Sequence, residues 1–147
     1  MEQYVKTTTP AFEFKRSCES AGIQFIHHDP WKAAVSNEES IRLSKLSYCM
    51  PDFRTKIDYG KIGYIPCRVF KAISYGHTGI TNSMHVKEVL GDYVEYAETP
   101  NEILSIVKKR ENDVAWREKA MQYVKENHTF LQRVRDLARI LQRPKPE

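Results

Sequence analysis

Residues 63–83 read GYIPCRVFKAISYGHTGITNS. Ile65, Val69 and Ile73 recur every four residues and form one apolar helical stripe, while Arg68, Lys71 and Tyr75 share another face. Pro66 suits the first turn of that helix, and Gly76 the left-handed position just past its end. Residues 78–81 then read as a short buried strand. Asn82 or Ser83 is placed to cap a further helix starting at Met84. The stretch therefore predicts helix, strand, helix. In such units ligands collect at the carboxyl ends of the strands, where helix N-termini present unpaired N–H groups to anions. The chemistry is expected near Asn82 and Ser83.

Working outward, residues 11–21 predict a helix closed by Gly22, and residues 23–27 a strand with Phe25 and Ile26 at its centre. Trp31 follows in a strand-end loop, where an indole either stacks on a nucleotide base or packs over the core. Ser36 and Glu39 have the spacing of a capping box. Residues 47–50 predict another strand, and Arg54 beyond it is a candidate phosphate or sugar contact, against a salt bridge to Asp52 or Asp58. Residues 55–64 lack periodicity and read as a loop. Downstream, residues 93–96 predict a strand, Thr99 and Pro100 open a helix, and Asp113 caps one with Trp116, Ala120 and Val124 on one stripe. Thr129 starts the last helix, whose Phe130, Val134, Leu137, Ala138 and Leu141 face the core or reach toward another domain. Pro144 and Pro146 end it. The alternation predicts a Rossmann-like α/β domain: a parallel sheet of four to five strands, helices on both faces, and a helical C-terminus. Residues 1–10 form a lead-in, 11–143 the domain and 144–147 a tail.

The chain has 147 residues, a net charge of +4 and three cysteines without a paired-cysteine motif. One domain with a sizeable core is expected, in a reducing compartment, with neither a disulfide framework nor a zinc site. Basic residues are dispersed apart from Lys108, Lys109 and Arg110 at a helix end, which argues against nucleic acid. His27 and His28 are adjacent, point to opposite sides of a strand and cannot both hold one metal; no metal is expected. Neither a leader nor a transmembrane segment is visible, so the expected location is the cytoplasm. The Asn127-His128-Thr129 sequon is then a helix junction rather than a glycosylation site.

The run Arg68-Val69-Phe70, Ala72-Ile73-Ser74-Tyr75-Gly76, followed by Gly79-Ile80-Thr81-Asn82-Ser83, Glu88 and the distant Glu126-Asn127-His128-Thr129 with Arg133, resembles the C-terminal half of GT-B glycosyltransferases. The likeness is to group-1-like members with an Arg-x-Phe-Glu-Ala signature, and spans residues 22–141. It implies a domain that binds a nucleotide-diphosphate sugar as donor, with no cofactor and no metal, for transfer to an acceptor held by another half. That half is in a longer protein, lost from a truncated reading frame, or in a separate chain. The implied donor contacts are Arg68, Lys71, Asn82, Ser83, Arg54, Tyr75, Trp31 and Glu88. Arg68 is the leading one, because a cation in a first helical turn calls for an anion nearby and a guanidinium fork suits phosphate oxygens. Glu88 matches the family's downstream acid at a looser spacing, and reads equally well as helix surface. No general base is assigned.

One departure matters. The family carries glutamate where this chain has Lys71, replacing a carboxylate that accepts ribose hydroxyls with a cation that accepts nothing. The second reading is therefore a non-catalytic, degenerate half that binds a nucleotide or a partner chain without turnover.

Overall fold

A computed structural model describes residues 10–27, 34–54 and 65–142. Within them the chain is mostly helical: α1 (Pro10–Ser20), α2 (Asn37–Leu46), α3 (Cys67–Ser74), α4 (Met84–Leu90), α5 (Ile103–Arg110), α6 (Val114–Asn127) and α7 (Phe130–Leu141). The strands are β1 (Ile80–Thr81) and β2 (Glu95–Tyr96), paired in parallel with Ile80 opposite Glu95 and Thr81 opposite Tyr96. A single bridge adds Asp52 beside Thr81, its N–H donating to the Ile80 carbonyl at 2.9 Å.

The expectation of a four- to five-stranded Rossmann-like sheet is thus corrected. Residues 23–27 and 47–50 are not strands. Phe25 instead packs edge-on against Phe14 of α1, with ring centroids 5.9 Å apart, and stacks on His27. An apolar run held by ring contacts has the same composition as a strand, yet forms no ladder unless another backbone lies alongside. Tyr93, expected in a strand, closes a 3-10 turn over Gly91–Tyr93, which Gly91 allows at φ 53°.

The small sheet still separates two apolar clusters, because side chains alternate along each strand. Ile80 and Ala97 face Phe14 and Cys18 of α1 and Ile103 and Val107 of α5. Val94 faces Val69 and Ile73 of α3, Val86 and Leu90 of α4, and Ala120 and Val124 of α6. Gly79 is required where α3 crosses the sheet: a β-carbon there would lie 2.7 Å from Ile73 Cδ1 and Cγ1.

Local signals set the helix ends. Ser36, Ser83, Asp113 and Thr129 side chains accept from the N–H three residues on, at Glu39, Val86, Trp116 and Gln132. Gly76, at φ 87°, ends α3 with its N–H on the Ile73 carbonyl and the His77 N–H on that of Ala72, a Schellman arrangement. Pro66 stands just before the first turn of α3. In α7 no residue is buried, so Phe130, Val134, Leu137, Ala138 and Leu141 do not face the core.

Candidate functional site at the ends of the parallel strands

Asp52, Thr81 and Tyr96 mark the carboxyl ends of three neighbouring parallel segments. Asp52 is fully buried. A buried carboxylate is costly without a cation, and the Arg68 Nε lies 3.5 Å from Asp52 Oδ1, reaching across from the first turn of α3. That turn contains no acidic residue, so the helix supplies Arg68 with no counter-charge of its own. The Arg68 side chain remains 56% exposed.

Asn82 fixes the loop after Asp52. Its Nδ2 donates to the Arg54 carbonyl at 2.7 Å, and its Oδ1 accepts from the Arg54 N–H at 3.2 Å. The amide thus pairs with Arg54 as another backbone would, and carries the loop past the end of β1. Ser83 is structural: its hydroxyl accepts from Val86, its N–H donates to Thr81 Oγ1 at 3.1 Å, and it is buried. The Arg54 backbone, Arg68, Asn82 and Ser83 thus lie around the ends of β1 and the Asp52 bridge. Beside them lies a cavity of about 500 Å³, lined by Arg68, Phe53, Pro51, Cys49 and Cys18 among others.

The remaining expected contacts lie elsewhere. Lys71 and Tyr75 line a different groove of about 1180 Å³, formed by α3, α6 and the start of α7. Glu88 is on the outer surface of α4, with His85 Nδ1 3.5 Å from its carboxylate. Trp31 lies outside the described residues, as does Asp58. The downstream motif joins the Lys71 groove: His128 packs against Phe70 and Tyr123, and Arg133 Nη2 donates to His128 Nδ1 at 3.1 Å. Burial, then the neighbouring Arg133, lower the His128 pKa and favour its neutral ring. The structure sets Asp52 against Arg68 of α3, a partner that sequence spacing does not offer.

Comparisons with family models, curated proteins and solved structures found no match.

Two of the three thiols share the cavity beside Arg68. Burial, with the charge of Glu19 adding to it, raises the pKa of Cys18. Burial also lifts that of Cys49 to about 12, with Cys18 adding to it. Cys67 is exposed. A maleimide at neutral pH is therefore expected to label the native protein at Cys67 alone and to reach Cys18 and Cys49 only in denaturant, as read by intact mass. Fast native labelling of a second thiol would show that the cavity opens readily.

Proposed function

We propose that the chain binds a nucleotide-diphosphate sugar at the Arg54, Arg68 and Asn82 edge, on a much smaller sheet than GT-B glycosyltransferases use, as the donor-binding part of a glycosyl transfer to an acceptor held elsewhere. The observation that carries this reading is Arg68: an arginine with a half-exposed side chain in an acid-free first helical turn, paired with Asp52 at the carboxyl end of parallel strands. A diphosphate there would gain charge-assisted hydrogen bonds from the fork, and negative charge building on the departing nucleotide diphosphate would be stabilised by the same cation. The sugar-nucleotide class itself comes from the resemblance over residues 68–83.

Lys71 favours the second reading, a nucleotide- or partner-binding module without turnover. It stands where the family's ribose-holding glutamate would be, and lies in the neighbouring groove.

Calorimetry with a panel of nucleotide-diphosphate sugars and free nucleotide diphosphates tests the proposal. Saturable binding that weakens with salt is the expected result; none by a folded chain overturns it. Lys71→Glu divides the two readings. Tighter donor binding in that variant means a ribose site weakened by the lysine, and looser binding means that Lys71 holds the ligand.

A further inference from the structure

The 12-residue helix α7 leaves six large apolar side chains in solvent: Phe130, Leu131, Val134, Leu137, Ile140 and Leu141, with Phe130 93% and Leu141 76% exposed. At 3.6 residues per turn they cover an arc of about 180° from Ile140 through Phe130 to Leu131. Arg133 stands near one border of that arc and Arg135 just beyond the other. Arg139, Gln132 and Asp136 occupy the opposite face. A free helix of this length is marginal in water, so its apolar face needs a surface to lie on.

The apolar surface does not stop at the helix. Phe130 also lines the groove of about 1180 Å³, which continues through Phe70, Tyr75 and Met121. The charges around groove and helix are mainly cationic: Lys71, Lys125, Arg133, Arg135 and Arg139 against Glu118 and Asp136. Asp136 is moreover engaged by Arg139 at 3.3 Å and accepts from Gln132 at 3.0 Å.

We propose that α7 and the adjoining groove form a docking surface for an anionic lipid bilayer. A convex helix with a broad apolar arc, arginines at its borders and a polar opposite face suits the plane between headgroups and acyl chains, where the arginine stems can lie along the apolar side and their heads reach phosphates. The helix rises only about 18 Å, short of a hydrocarbon core of about 30 Å, so it lies in the interface rather than across it. Among the described residues no helix is long and apolar enough to cross a membrane. A protein partner would need a groove shaped to the helix, whereas a bilayer needs none, and the excess of cations selects an anionic one. This inference stands on α7 and not on the donor site, so either can fail alone.

Flotation of the purified chain with vesicles of phosphatidylcholine, with and without phosphatidylglycerol, tests it. Flotation with the anionic vesicles only, reduced by salt, is expected. Arg133→Gln and Arg135→Gln should each weaken partition about fivefold. Leu137→Glu should abolish it with an unchanged thermal melt, since Leu137 is exposed. Failure to float, equal flotation with neutral vesicles, or unaltered flotation of Leu137→Glu overturns the proposal. So does a vesicle-free dimer that Leu137→Glu dissociates while lipid binding is absent, which would assign the face to a second copy.

Discussion

Replacing Ile73 by alanine is expected to lower stability by about 3 kcal/mol, and Gly79 by alanine by about 2 kcal/mol, while the double variant loses clearly less than the sum. Ile73 is fully buried in the cluster of α3, α4 and α6. Truncating it removes apolar contacts and leaves a cavity that a tightly packed site closes only in part. Gly79 acts from the other side of the same contact. Its φ is not in the left-handed region, so the constraint is space: a β-carbon would lie 2.7 Å from the Ile73 side chain and 3.4 Å from Val94 Cγ2. Ile73 cannot yield without displacing its neighbours, so Gly79→Ala pushes α3 away from β1. In the Ile73→Ala background the colliding atoms are gone, and the new methyl occupies part of the hole they left. A coupling of about 1–2 kcal/mol is expected. Denaturant unfolding of the two single variants and the double one measures it. Strict additivity would show that Gly79 serves the backbone alone and that α3 does not pack on β1 as described. Because β1 presents Asn82 at its end and α3 presents Arg68, this contact also sets the distance between the two.

The features legible from the sequence are those whose physics is local. The caps at Ser36, Ser83, Asp113 and Thr129, and the helix end at Gly76, need partners only three to five residues away, and residue type with spacing specifies them. Strands are different. Residues 78–81 acquire a short strand because the backbones at Asp52 and Glu95 pass alongside, whereas residues 23–27, the more apolar run, meet the ring of Phe14 instead. Nothing in either run announces which will happen. The site divides in the same manner. Asn82 follows the short strand directly, so its place at the strand end is readable. Lys71 is one helical turn from Arg68, and a three-residue step leaves it about 60° around the axis; that rotation, with α6 packed against α3, sends the two cations to different cavities. The amphipathic period of α7 is equally plain, but period alone does not say whether an apolar face meets a core or stands in solvent.

Arg68→Ala is expected to weaken binding of a nucleotide diphosphate by more than about tenfold, with Arg68→Lys between it and the unmodified chain. The lysine keeps the charge but not the fork, so the gap between the two variants reports bidentate contact. Arg68 also serves Asp52, whose buried carboxylate it faces at 3.5 Å, so loss of binding in Arg68→Ala has two candidate causes. In one the ligand loses its cation; in the other the strand end distorts around a buried carboxylate that has lost Arg68. Asp52→Asn separates them. It removes the charge that holds the guanidinium while leaving Arg68 in place, so a ligand that binds through Arg68 should bind as well as before or more tightly. Calorimetry on the three variants, with a thermal melt of each, gives the answer. If Asp52→Asn loses binding in parallel with Arg68→Ala, the pair is a structural strut and the donor site is not at Arg68. If Asp52→Asn retains binding where Arg68→Ala does not, Arg68 itself holds the anion, and the buried aspartate is its counter-charge in the free protein, which the ligand does not need.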